Sequence, residues 1–348
     1  MIGRLFHAWE HRLANVSKDR VVRPFDWGVD WLAPNGHPEE VAPVERVRQY
    51  VSAVLGDSDS WFATPPTDAY AVAPGPGDGT SWVRFPTARP TPSPQNNTAI
   101  ARYVPGRPAD GQRRVRRAVV VLPQWNSDAD GHVGLCRLLA RFGISALRLT
   151  LPYHEQRMPP ELTRADYIVS SNVVRTLEVC RQAVVDARRA VMWLHREGYE
   201  RIGILGTSLG SCLAMLTAAH EPLVRAQALN HISPFFADVV WRGLSTRHVR
   251  AGLDGHITLE ALRELWRPIS PQQYLDRLHR RSTSTLLVYA RYDLTFPVDL
   301  SRALVGEFRQ RGIPHQLAVL PCGHYSTGSA PFKYMDGAIL TRFLYRTL

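Results

Sequence analysis

Lysine is nearly absent. Among 42 basic residues in a chain of 348, only Lys18 and Lys333 are lysines, and the arginines are scattered over the whole length. The formal net charge of +11 therefore comes without a basic stripe. The densest run, Arg113, Arg114, Arg116 and Arg117, precedes an apolar strand and lacks the interleaved aromatics of a single-strand platform. It reads as a solvated loop, and no nucleic-acid partner is expected. Cysteine is sparse as well. Cys136, Cys180, Cys212 and Cys322 lie far apart with no CxxC pair, which excludes a zinc knuckle or a dense disulfide framework and fits a reducing, cytoplasmic setting. Long hydrophobic runs are also missing. Arg4, Glu10 and Arg12 interrupt the first apolar stretch, which spoils a signal-peptide core, and no integral membrane segment is expected.

What the chain does have is core-forming capacity: 45% of residues are hydrophobic and 21% charged, which excludes disorder. In the first segment Ile2, Leu5, Phe6, Trp9, Leu13 and Val16 share one side of a 3.6-residue helix, read as docked on its own protein rather than on a membrane. His7 and His11 have the helical spacing of metal ligands, but HAWEH is not HExxH and no third ligand accompanies them, so no metal is expected. Residues 20–65 are rich in Trp and Pro. Residues 65–110 contain PP, PGPGDG and RPTPSP, turn and linker chemistry in which little regular structure is expected. Residues 1–110 are accordingly read as an accessory region with a Pro/Gly-rich linker.

From 111 to 348 the pattern is that of one α/β domain. Short β-branched runs alternate with helical periodicity, which argues for a mainly parallel sheet flanked by helices. Strands are expected at 118–122, 144–149, 201–206, 225–230, 285–290 and 315–320. The clearest helix carries Val173, Leu177, Cys180, Val184, Ala187, Val191 and Leu194 on one seam and stops at Gly198. Residues 231–282 are too long for a simple crossover and show helical patterns, so they are read as a helical cap insertion over one end of the sheet.

The chemistry centres on Gly206-Thr207-Ser208-Leu209-Gly210, a G-x-S-x-G sequence between an expected strand and an expected helix. A sharp turn there would project the Ser208 hydroxyl at the strand end and leave the Leu209 N–H free at the helix start. A serine hydroxyl needs a base and a group to orient that base. Asp293 follows one later strand in ARYDLTFP, and His324 follows the next in PCGHYSTG. His315, His248 and His256 are poorer bases, because the first begins a strand and the others sit in the insertion. A second oxyanion donor is expected after the strand 118–122: Pro123 has no N–H, which leaves the Trp125 amide, with Gln124 as the alternative. In LPYHEQRMPP, Tyr153, His154, Glu155 and Arg157 either bind a polar substrate group or pin the loop; Tyr153, His154 and Arg157 are taken as substrate-binding candidates.

With GTSLGS, ARYDLTFP and CGHYS in this order, residues 118–348 resemble the α/β-hydrolase superfamily, and with LPYHEQRMP upstream they are similar to bacterial relatives of the α/β-hydrolase domain-containing protein 18 group. That resemblance implies a mostly parallel eight-stranded sheet, a Ser-His-Asp triad and ester-type hydrolysis. The expectation is a serine hydrolase acting on a small-molecule carboxylic ester, without a cofactor. Thioester and peptide substrates, or a catalytically silent binding protein on the same fold, are the alternatives.

Overall fold

The computed structural model describes residues 2–32, 41–106 and 115–348. Its centre is one nine-stranded sheet: β1 (Ala71–Pro74), β2 (Ser81–Pro86), β3 (Thr98–Val104), β4 (Arg117–Leu122), β5 (Ile144–Leu149), β6 (Arg201–Thr207), β7 (Val224–Asn230), β8 (Ser284–Ala290) and β9 (Gln316–Leu320). The spatial order is β1-β2-β3-β5-β4-β6-β7-β8-β9. The pairs from β5 through β9 are parallel, and β1, β2 and β3 add an antiparallel edge, with Ala101 opposite Leu149. Strand side chains alternate between two cores, as a period of two requires. In β4, Val119 and Val121 pack on one face, while Ala118, Val120 and Leu122 pack on the other.

Twelve α-helices are described: α1 (Ile2–Ala14), α2 (Pro43–Gly56), α3 (Ser58–Trp61), α4 (Val133–Arg141), α5 (Val173–Arg196), α6 (Leu209–His220), α7 (Phe236–Arg242), α8 (Arg247–Leu253), α9 (Leu259–Leu265), α10 (Leu275–His279), α11 (Val298–Gln310) and α12 (Phe332–Thr347). Helices α5 and α6 cover one face of the sheet, and α4 and α12 the other. The long α5 begins at Asn172, whose side chain accepts a hydrogen bond from the Arg175 N–H, and stops before Gly198 at φ 83°. The insertion expected over 231–282 holds α7 to α10 between β7 and β8.

All six expected strands form, each within one residue of its anticipated limits. The expectation of little regular structure over 65–110 is corrected. PGPGDG is the turn of the β1–β2 hairpin, with Gly77 and Gly79 at φ 80° and 76°, and its flanks pair across Val72 and Val83. The boundary placed at 110, and Arg113 and Arg114 of the arginine run, fall outside the described residues. Arg116 and Arg117 do not simply extend into solvent: their guanidinium groups stack on Tyr199 and Tyr345. The four cysteines are buried free thiols. Among the described residues no helix is long and apolar enough to cross a membrane.

The loop after β5 is fastened from within. Arg157 is fully buried and donates to the Asn96 and Thr150 carbonyls and to Asp186 Oδ2 at 2.8 Å, while Thr87 Oγ1 donates to Asp186 Oδ1. Such a pair stays stable only while both charges are present, because either one alone is an uncompensated charge out of water. Arg157→Met, which fills the space and strands Asp186, is expected to lower unfolding stability in urea by about 3–5 kcal/mol. A loss under about 1 kcal/mol would contradict that role for the ion pair.

Candidate active site

Strand β6 runs into α6 through a single residue of unusual conformation, Ser208, at φ 57° and ψ −120°. Both glycines of the motif are sterically required. A Cβ on Gly206 would stand 2.0 Å from the Gly210 carbonyl oxygen, and one on Gly210 would stand 2.2 Å from that of Leu122. The strained turn is pinned on both sides: Ser208 N–H donates to the Asn230 carbonyl at 2.8 Å, and Ser211 Oγ donates to the Ser208 and His231 carbonyls. Ser208 lines a cavity of about 1590 Å³, together with His324, His231, Gln124, Trp125 and Leu209. From the insertion and the loop after β8 come Phe236, Val239, Val240 and Phe296, which make part of this wall apolar.

Asp293 stands just past β8 and is buried. Its Oδ1 accepts the Thr295 and Phe296 N–H groups at 2.8 and 2.7 Å, and its Oδ2 accepts His324 Nδ1–H at 2.9 Å. Burial alone would push this carboxyl up, but the charges and hydrogen bonds of two imidazoles outweigh it and hold Asp293 well below the usual carboxylate range. With Nδ1 committed, the opposite ring nitrogen Nε2 is the one left for chemistry. The ring of His324 lies flat on Phe296, with centroids 5.4 Å apart. Ser208 and His324 face the same cavity without a hydrogen bond between them among the described residues.

The second imidazole belongs to His231, the residue after β7, which sequence reasoning passed over. Its Nδ1–H donates to the same Asp293 Oδ2 at 2.8 Å, and its ring lies 4.5 Å from that of His324. Burial disfavours a proton on His231, but Asp293, Asp336 and Glu10 nearby raise its pKa above the ordinary value. The signal in the sequence was positional: RAQALN-His231 leaves its strand at the same sheet end as Ser208, Asp293 and His324. His231, Asp293 and His324 have the composition of a small metal site, but their facing atoms are already joined by hydrogen bonds.

Past β4, the Asn126 N–H donates to His154 Nε2 at 2.9 Å, whereas the amides of Gln124 and Trp125 meet no acceptor among the described residues. The Trp125 indole donates to the Ala165 carbonyl. Leu209, first residue of α6, has the free N–H of a helix start. The assignment of Tyr153, His154 and Arg157 to substrate binding is corrected, because none of them lines the cavity. Tyr153 and Arg157 are fully buried, and burial drives the His154 pKa down to about 4. The neutral His154 ring bridges the Pro152 carbonyl and the Asn126 amide, so it braces the loop that carries Gln124 and Trp125. Glu155 pairs with the buried Arg148.

Similarity to known proteins agrees with this geometry at the level of fold. The acetyl xylan esterase from Paenibacillus sp. R4 superposes with a TM-score of 0.59 at 14% identity, over 90% of this chain and 97% of the esterase. The esterase PF2001 of Pyrococcus furiosus gives 0.52 at 17% identity, over 82% and 98%. The acylaminoacyl peptidase of Pyrococcus horikoshii gives 0.56 at 14% identity, over 81% of this chain and only 42% of the peptidase, so the chain spans less than half of that protein. No curated protein matches in sequence. The family model for "Alpha/beta hydrolase domain containing 18" matches residues 80–282, more than half of the chain, and ends ahead of Asp293 and His324. With its nine-stranded, mostly parallel sheet and its serine turn, the chain has the α/β-hydrolase fold and belongs to the alpha/beta hydrolase domain containing 18 family.

Proposed function

We propose that the protein is a serine hydrolase that cleaves carboxylic esters through an acyl intermediate on Ser208. The observation that carries this reading is the Asp293–His324 hydrogen bond at the rim of the cavity lined by the strained Ser208. In the mechanism, Ser208 Oγ attacks the ester carbonyl while His324 Nε2 takes its proton, and Asp293 holds the tautomer and stabilises the imidazolium. The tetrahedral oxyanion accepts hydrogen bonds from the Leu209 amide and from that of Trp125, or of Gln124 in its place. His324 returns the proton to the leaving alkoxide. A water deprotonated by His324 then attacks the acyl carbon, the bond to Ser208 Oγ breaks, and His324 returns the proton to Oγ as the acid leaves.

The wall formed by Phe236, Val239, Val240 and Phe296 supports an apolar acyl or alkyl group next to the reacting carbon. Burial of that group excludes water from the site and strengthens the electrostatic contacts within it.

A fluorophosphonate probe is expected to label the wild-type protein and not Ser208→Ala, whose ester turnover should fall roughly a thousandfold or more. Equal labelling of the variant would remove Ser208 as nucleophile. The cavity wall makes a separate expectation. Val239→Trp should lower kcat/KM for a long-chain p-nitrophenyl ester by roughly tenfold while sparing the acetate; a uniform change across chain lengths would detach α7 from substrate choice.

A further inference from the structure

Helix α1 lies against both loops that carry the proposed base and acid. Phe6 stacks on Tyr292, the neighbour of Asp293, with ring centroids 4.6 Å apart and planes 10° from parallel, and it also meets Phe332. One turn further along α1 sits Glu10, a carboxylate with no exposure to solvent. Its Oε2 accepts the Tyr325 N–H at 2.8 Å and its Oε1 accepts the Ser326 N–H at 2.9 Å. On the other side of His324, a Cβ on Gly323 would stand 2.3 Å from Glu10 Cδ, so the carboxylate is wedged against the turn before and after His324.

We propose that Glu10 is a positioning residue of the hydrolytic site: it clamps the backbone turn of His324, so that α1 is a working part of the machinery. The inference rests on the reading of Ser208, Asp293 and His324 as the hydrolytic triad. Its physical content is that two N–H donors next to the base, a half-buried one on Tyr325 and a buried one on Ser326, lose their acceptor without this side chain. The chain after α1 strengthens the connection, because Arg20 Nη2 donates to the Tyr325 hydroxyl, which itself bonds to Ser245 of the insertion. Glu10 is also among the groups that favour a proton on His231, the second imidazole on Asp293, against the cost of burial. Glu10 does not line the cavity, so its effect passes through His324 and not through contact with substrate.

The test uses the full chain with Glu10→Ala and Glu10→Gln beside wild type and Ser208→Ala. It reads p-nitrophenyl acetate kinetics, thermal unfolding, and hydrogen exchange at residues 323–328. Glu10→Ala is expected to lower kcat roughly tenfold to a hundredfold with KM within about twofold, and to speed exchange of the Tyr325 and Ser326 amides. Glu10→Gln keeps one acceptor oxygen; it should fall between the two in kcat and protect one of the amides. If Glu10→Ala fails to fold, Glu10→Gln with wild-type kcat and wild-type protection of both amides overturns the inference. Wild-type turnover that Glu10→Ala leaves undiminished overturns this inference alone, whereas wild-type protein without Ser208-dependent turnover overturns it together with the hydrolytic reading.

Discussion

The buried carboxylate of Asp293 is the contact on which the site depends. Out of water an anion is stable only if its lone pairs are met, and here four N–H groups meet them: two from the backbone of its own loop and two from imidazoles. The backbone donors stop the carboxylate from swinging. Its second oxygen therefore has a set direction, and the orientation of His324 follows from it. The bond also joins the exits of three successive strands, β7 through His231, β8 through Asp293 itself and the β9 loop through His324, to one atom.

Around that point the fold supplies rigidity from two unlike sources. The parallel strands and the close approach of Gly206 to Gly210 and of Gly210 to β4 leave Ser208 no alternative path. The first hundred residues contribute just as directly, though by other means. Their strands extend the sheet beyond β5, Asn96 receives the buried Arg157, and α1 packs on Tyr292 and on the turn after Gly323. The region read as accessory is therefore bound into the same sheet and reaches the same end of it. His154 illustrates how such bracing works: a neutral ring two hydrogen bonds deep holds the loop that offers the Trp125 and Gln124 amides.

Much of this was legible from residues alone, because the parallel strands are apolar on both faces and stand out as β-branched runs. Ser208, Asp293 and His324 stand out as candidates because a motif and two strand exits announce themselves locally. The antiparallel edge was hidden by its own turns: prolines and glycines dominate 74–79 and 90–94, between its paired strands. His231 and Glu10 were missed for a different reason, since each acquires its role from a partner more than sixty residues away, and no spacing rule reports that. Glu10 even looked like an interruption of an apolar stripe. In the fold, Glu10 and Ala14 are the buried members of α1, and Ile2, Leu5 and Val16 from that stripe are exposed. Arg157 shows the converse, a polar side chain suited to a ligand that is spent on the protein's own backbone and on Asp186.

The central claim is that acyl transfer passes through Ser208 under the control of the Asp293–His324 pair. Rapid acid quench of the protein during turnover of an activated ester, followed by peptide mapping by mass spectrometry, tests it most directly. The account expects one acyl group, carried by the peptide that contains Ser208 and lost as turnover ends. Product release at full rate with no acylated Ser208 peptide at any quench time would contradict it.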